Sequence, residues 1–391
     1  MSTIIDIRHL TKPNPSGVGQ YTLELLKALF ELDTKNEYLL FSSGSNRVLE
    51  NLPIFDKPNV RQFHLKIPNK ILNTSLLASG RPRLDELMQK YFAGDKKPLF
   101  FFPNLNIISL SPNTNYVLTL HDLSFEIFPE LYEPKARLWH RLTRARALAQ
   151  NARAIIVPSK SAAHDVNFIF GVPQEKIFVV PHGVDSKFSP KIEARDFGVK
   201  SKYHLPKKFA LFVGTLEPRK NISLMIEAVQ KYRRETGDDL RLVLVGKSNK
   251  HIAVTTTVET LHCNVSTVTT TRLGYVCPQD LPAIYRLASV TLFPSLYEGF
   301  GLPIVESMAS GTPVITSNTS SMPEVGGRAA IYVDPYNAND LTAALRELFG
   351  SPELQKQKIE AGLERARDFS WKKAAEQTID IFTKIRNNSA S

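Results

Sequence analysis

Residues 295–318 read SLYEGFGLPIVESMASGTPVITSN and follow a short apolar run, TLFP. The order is a strand, a glycine-bearing loop, a helical pattern starting near Leu302, and a second strand. Such an arrangement is an anion site, because loop N–H groups and the helix N-terminus converge on a phosphate. Gly299 and Gly301, around Phe300, let backbone approach a ligand closely. Glu298 sits on the loop rim, where a carboxylate accepts hydroxyl hydrogens. Glu306 lies about one turn into the helix, where it can grip a ribose diol. A lone Glu here would be an ordinary helix-start or surface charge. Two of them around GFG, beside a Pro-bounded strand, single the segment out.

Upstream, residues 212–230 read FVGTLEPRKNISLMIEAVQ. A strand ends at Gly214, a turn runs through Pro218, and Arg219 and Lys220 stand just before a helix expected to be capped by Asn221. Two cations held at a strand's C-terminal end suit a diphosphate: Arg binds two oxygens at once and Lys acts as a point charge. Alone, this stretch would pass for a solvated basic turn.

Short apolar runs alternate with helical patterns through most of the chain. Strands are expected at 3–7, 38–41, 60–65, 99–102, 116–120, 154–157 and 177–180, then at 210–213, 240–245, 267–273, 290–293, 313–316 and 330–333. Helical patterns fall near 19–31, 84–92, 135–150, 160–169, 221–234, 279–287, 303–310, 339–349 and 353–367. That alternation predicts parallel sheets with helices on both faces. The pattern pauses over 181–208, rich in Pro, Lys, Asp and Ser, and that pause reads as a linker. The expected fold is α/β, with two doubly wound Rossmann-like domains facing a central cleft: 1–190, 191–368, and a helix in 369–391 returning to the first domain with Trp371 as anchor. In open sheets of this kind ligands bind beyond the C-terminal strand ends. Two stretches read as irregular: 67–83, punctuated by Pro and Gly, and the threonine-rich 254–271.

Two further segments carry chemistry. SGVGQYTLELLKAL (16–29) places Gly17 and Gly19 at the start of a helix after the first strand, but the dinucleotide spacing is incomplete. VLTLHDLSFEIFPELY (117–132) ends a strand at His121, which can hydrogen-bond a sugar hydroxyl or shuttle a proton. His182, in VVPHGVD, reads mainly as part of a turn. There is neither a DxD pair for a divalent metal nor a GxxxxGK[ST] phosphate loop, so no cofactor and no metal are expected. Arg219, Lys220 and helix dipoles are left to neutralise a diphosphate.

The 391 residues suit two domains, and 42 % hydrophobic with 22 % charged residues is ordinary globular composition. The formal charge of +11 is spread, with +6 in residues 1–190 and +5 in the remainder. It favours anionic partners. No basic–aromatic stacking motif or recognition helix is present, so nucleic acid is not expected as a partner. Two cysteines, Cys263 and Cys277, exclude a disulfide framework and fit a cytoplasmic compartment. No apolar run is long enough to span a bilayer. Residues 134–153 hold six basic side chains and no acidic one. Arg137, Arg141 and Arg144 are expected on one helix face, with Leu138, Leu142, Ala145 and Ala149 lining another. An anionic membrane surface is a candidate partner for this stretch, peripheral at the inner face of the cytoplasmic membrane.

Together these segments resemble the retaining glycosyltransferases of family 4, which have the GT-B fold, over essentially the whole chain. SGVGQYTLELLKAL, TLHDLSFEIFPE, IIVPSKSAAHDV and VVPHGVD match first-domain segments; FVGTLEPRKN and E-GFGLPIV-E match the second-domain signature. The resemblance implies a nucleotide-diphosphate sugar held by the C-terminal domain and a glycan or lipid-linked acceptor held by the N-terminal one. It places Arg219 and Lys220 on the diphosphate, Glu298 on donor-sugar hydroxyls, and Glu306 on the ribose. Backbone N–H groups of Gly299, Phe300, Gly301 and Leu302 would meet sugar and phosphate. His121 would bind the sugar, and Gly17 and Gly19 would approach the phosphate and acceptor side. Thr215 stands where many relatives have Arg, which leaves that role to Arg219. The phrases HDLSF, FPELY and PHGVD look most like bacterial polysaccharide mannosyltransferases. GDP-mannose is therefore the first expected donor and UDP-glucose the next. A nucleotide-sugar epimerase is the alternative on the same scaffold.

Overall fold

A computed structural model describes residues 2–11, 17–89, 91, 98–247 and 269–388. The chain divides into two compact units, Met1–Gly183 with Trp371–Ser391, and Val184–Ser370.

Among the described residues, the first unit holds seven parallel strands: β1 Ser2–Asp6, β2 Glu37–Ser43, β3 Val60–Leu65, β4 Leu99–Phe102, β5 Tyr116–Thr119, β6 Ala154–Val157 and β7 Ile177–Val179, ordered β3-β2-β1-β4-β5-β6-β7. The second holds six: β8 Phe209–Val213, β9 Arg241–Val245, β10 Thr270–Gly274, β11 Val290–Phe293, β12 Val314–Ser317 and β13 Ile331–Val333, ordered β10-β9-β8-β11-β12-β13. Both orders reverse direction once, β1 beside β4 and β8 beside β11. These reversals are where α/β sheets bind ligands.

Alternation along the strands builds both faces of each sheet. In the first unit Ile4, Phe100 and Phe102 enter one core, and Ile5, Leu99 and Phe101 the other. The C-terminal helix Trp371–Asn387 covers the second of these faces with Ala374, Ala375, Ile381, Phe382 and Ile385. Phe382 meets Phe101 with ring centroids 5.1 Å apart.

Several local expectations are corrected. The first unit ends at Gly183, ahead of the boundary expected at 190. Val184 N–H already donates to Phe369 O, and Phe188 is buried in the second core. The linker pause contains a helix, Ala194–Lys202, opened by a reciprocal Glu193–Asp196 capping box. Asp196 also forms a buried ion pair with Arg286 at 2.7 Å. The stretch 67–83 is not irregular: Asn69–Ser79 is a helix. Leu72 and Leu76, four apart, are buried, and Gly80 ends it in the left-handed region. The helix expected at 135–150 is two helices, Pro134–Thr143 and Ala145–Asn151, parted where Arg144 takes φ 51°. Leu138 does not line an apolar face; it is 54 % exposed. Most of 254–271, with Cys263, lies outside the described residues.

Candidate active site

In the second unit, β8 and β11 are hydrogen-bonded neighbours, so the segments that follow their C-terminal ends run side by side. Leu296 N–H donates to Arg219 O at 2.9 Å and joins the two segments directly. Lys220 Nζ donates to Glu298 Oε1, and Arg219 Nη1 lies 3.1 Å from Glu298 Oε2. Arg219 Nη2 also pairs with Glu217 at 2.7 Å. Two cations thus meet two carboxylates, with Lys220 and Glu298 buried.

The electrostatics follow from that pairing. Burial works to raise the Glu298 pKa, but the Arg219 and Lys220 charges outweigh it and hold the group at about 2. Burial pushes the Lys220 ammonium below its usual value, against the pull of Glu298. Glu306 is different. Burial lifts its pKa to about 7, despite the hydrogen bond donated by Tyr285 Oη at 2.8 Å.

The loop bearing Glu298 is held by hydroxyls from the segment after β12. Glu298 N–H donates to Ser320 Oγ at 2.9 Å, and Ser320 Oγ donates back to Glu298 O at 3.0 Å. Ser321 Oγ sits 2.9 Å from both Glu298 O and Phe300 O. Thr319 Oγ1 donates to Leu296 O at 3.1 Å. Ser320 occupies the left-handed region with φ 49°, uncommon for a residue with a side chain. None of these contacts is visible in the local sequence.

Two glycines are required by geometry. Gly301, φ 99°, is the turn before helix Leu302–Ala309, and a Cβ there would press Ile304 at 3.0 Å. At Gly246, after β9, a Cβ would fall 1.9 Å from Gly214 O. Asn221 corrects the expected cap. Its side chain makes no capping bond and donates instead to Pro294 O and Pro335 O, at 3.2 and 2.5 Å, with its own backbone at φ 61°. Thr215 is exposed.

The other candidates lie in the first unit. Gly17 and Gly19 form the first turn of helix Gly17–Leu32, with Gly19 buried. His121 Nε2 donates to Pro103 O at 2.9 Å, beyond the ends of β5 and β4. Burial lowers its pKa, so the neutral ring carries its lone pair on Nδ1. Tyr21 packs between His121 and His182, centroids 4.6 and 4.5 Å away, and Trp371 stacks on His182 at 6.0 Å. Residue type and local pattern give Tyr21 no role. Its position one turn after Gly17 was the available signal.

Residues 15–188 match the family described as Glycosyltransferase Family 4, and residues 196–365 match the family described as Glycosyl transferases group 1. O-antigen chain mannosyltransferase B of Escherichia coli is 29 % identical over 371 residues, 94 % of this chain and 96 % of that protein. The MMP alpha-(1->4)-mannosyltransferase of Mycolicibacterium hassiacum is 32 % identical over 261 residues, 64 % of this chain and 59 % of that protein. Among solved structures, sucrose-phosphate synthase from Thermosynechococcus elongatus superposes with a TM-score of 0.72 at 22 % identity, over 100 % of this chain and 99 % of that one. Two parallel-sheet Rossmann-like units with this likeness have the GT-B fold. The two matched stretches adjoin and take in most of the chain, which belongs to glycosyltransferase family 4.

Proposed function

We propose that the chain transfers mannose from GDP-mannose to a glycan or lipid-linked glycan in cell-surface polysaccharide synthesis, with retention at the anomeric carbon and without a metal. The observation that carries this reading is the convergence of Arg219, Lys220 and Glu298 at the β8/β11 reversal. The likeness to an O-antigen chain mannosyltransferase over nearly the full length of both proteins supports the choice of sugar and acceptor.

Cleaving the bond to the anomeric carbon leaves positive charge on the sugar and negative charge on the departing diphosphate. Arg219 and Lys220, already desolvated, stabilise the latter, joined by the N-terminus of Leu302–Ala309. With both cations now balanced by carboxylates, an arriving diphosphate displaces Glu298 from them. The freed carboxylate then accepts donor-sugar hydroxyls. Glu306 takes the ribose diol, the loop N–H groups of Gly299–Leu302 meet sugar and phosphate, and His121 Nδ1 accepts from a sugar hydroxyl. Gly17 and Gly19 allow close approach on the acceptor side. The acceptor oxygen attacks from the leaving-group face and its proton passes to a phosphate oxygen. Two cations handle the diphosphate charge that a divalent ion serves elsewhere.

The test compares GDP-mannose, UDP-glucose and free nucleotides by thermal shift, because a ligand bound only to the folded state raises the melting temperature. Transfer to octyl α-mannoside is then followed by NMR with EDTA present. Stabilisation by GDP-mannose and an α-linked product support the reading. A larger shift with UDP-glucose transfers the assignment to a UDP-sugar. A β-linked product or loss of turnover in EDTA removes retention or metal independence, respectively. Interconversion of the donor without acceptor would make the chain an epimerase.

A further inference from the structure

The His121 imidazole is held on two sides. Nε2 donates to Pro103 O at 2.9 Å, which leaves the lone pair on Nδ1. The ring of Tyr21 meets it at nearly a right angle, with centroids 4.6 Å apart and planes 82° apart. Tyr21 is itself fixed. It is buried, and its Oη lies 3.4 Å from Thr119 Oγ1, at the end of β5 and two residues before His121. His182, just after β7, packs on the Tyr21 ring at 4.5 Å. Trp371 opens the C-terminal helix, 5.9 Å from Tyr21 and 6.0 Å from His182. One tyrosine therefore joins the end of β5, the turn after β7 and the start of the C-terminal helix.

Burial pushes the Tyr21 phenol above the ordinary tyrosine range, so it stays a neutral hydroxyl. Burial also lowers both His121 and His182, and their mutual repulsion lowers His182 further. The stack is uncharged at neutral pH, and what Tyr21 supplies is direction. A hydrogen bond at one nitrogen pins a single point of a ring and lets the ring swing about it. An edge-to-face aromatic contact is directional, and it removes that freedom. Orientation matters at a reacting centre, where a shift of about 1 Å costs on the order of a hundredfold in rate. Tyr21 also shares a helix face with Gly17, four residues earlier, so the glycine turn and His121 are tied to one rigid element.

We infer that Tyr21 is a positioning residue, which fixes the His121 ring so that Nδ1 faces the transferred sugar, and that Trp371 backs it through His182. The inference rests on the sugar contact proposed for His121. Tyr21 itself touches neither donor nor acceptor and acts through the imidazole alone. Tyr21 also belongs to the core that the C-terminal helix covers, so its role is read from kinetics and from the His121 tautomer, not from stability.

The experiment measures transfer from GDP-mannose to octyl α-mannoside by the full chain and by Y21F, Y21L, H121A and Y21L/H121A. Y21L is expected to lower kcat about tenfold while KM for GDP-mannose and the affinity for GDP stay within about twofold. Y21F keeps the ring and holds kcat within about threefold of the wild type. Because Tyr21 acts through His121, the double variant is no more than about twofold slower than H121A. Long-range ¹⁵N–¹H spectra, which need no donor, read the His121 tautomer, assigned by its absence in H121A. The Nε2–H form is expected to be sharp in the wild type and Y21F and averaged in Y21L. Should Y21L not fold, W371F loosens the same stack from its other end and is expected to lower kcat about threefold with the same averaging. Unchanged kcat in the folded stack variant, losses that add in the double variant, a Y21F as slow as Y21L, or a His121 signal unmoved by the stack variant each overturns the proposal while the sugar contact stands. Wild-type turnover in H121A removes that contact and the proposal together.

Discussion

Arg219 Nη1 stands 3.1 Å from Glu298 Oε2, and Lys220 holds the other oxygen of the same carboxylate. Lys220 and Glu298 are 78 residues apart in sequence, and the pair exists because β8 and β11 are neighbours. One carboxylate bridging two cations keeps all three charged groups aligned with little exposure to solvent. On the proposed function, that alignment prepares the site for the developing diphosphate charge.

Lys220→Ala removes one of those cations and leaves Glu298 buried beside Arg219 alone. Steady-state transfer from GDP-mannose is expected to fall at least about a hundredfold in kcat/KM. Lys220→Arg does not restore it, because a planar fork cannot replace a point charge in a buried position. Near-normal turnover in the alanine variant would remove Lys220 from the diphosphate.

Glu298 links the site to acid stability. Its folded pKa, about 2, lies below the ordinary 4.5, so its contribution is fully present above pH 4.5 and is lost as pH falls towards 2. That contribution is on the order of 3 kcal/mol. Denaturant melts of wild type and Glu298→Gln from pH 6 down to pH 3 should show a steeper acid loss in the wild type. Parallel curves would mean the carboxylate is not held by its cations.

Glu306 has the opposite sign. Its folded pKa is raised from 4.5 to about 7, so the folded state binds the proton more tightly. The stabilisation is complete below pH 4.5 and disappears as pH rises through 7. A ribose diol donates to the ionised carboxylate, so nucleotide affinity should strengthen as pH passes from 6 to 8. Glu306→Gln should flatten both dependences. Calorimetric titration with GDP across that range checks it, and an unchanged pH profile in the variant would detach Glu306 from the ribose.

Ser320 is predicted to position the Glu298 loop through its hydroxyl. Ser320→Gly keeps the left-handed backbone and deletes the two bonds to Glu298. We expect kcat to fall roughly tenfold with little change in melting temperature, and Ser320→Ala to lose stability as well, because it deletes the same bonds while keeping a Cβ at φ 49°. Wild-type kcat in the glycine variant would show the hydroxyl to be dispensable.

Gly246→Ala forces a Cβ to 1.9 Å from Gly214 O, a backbone atom that cannot rotate away, at φ 139°. Loss of about 3 kcal/mol or more is expected in urea melts, with β8 and β9 pushed apart at their C-terminal ends. A stability change below about 0.5 kcal/mol would mean that these strand ends are not closely opposed.

Much of the fold was readable from short-range patterning. Strands such as Leu99–Phe102 and Ala154–Val157 are runs of apolar residues that only a two-sided sheet can bury. Helix Asn69–Ser79 escaped because Asn, Thr and Ser give it little helical propensity; burial of Leu72 and Leu76 decides the matter. Ala194–Lys202 was hidden by its polar composition and is held by its capping box and by Arg286 on Asp196. In the site, Arg219, Lys220, Glu298 and Glu306 stood out by residue type next to strand ends. Tyr285, Ser320 and Ser321 did not, since each acts on a partner 21 to 23 residues away.

The amino-acid order alone determined that strands and helices alternate, that cations and acids follow particular strands, and that glycines bracket the turn before helix Leu302–Ala309. These properties act within one or two turns of chain, where propensity and periodicity operate. Which strand lies beside which was decided only by the tertiary structure, because pairing is chosen by burying both sheet faces at once. That choice brought Lys220 to Glu298 and Tyr285 to Glu306.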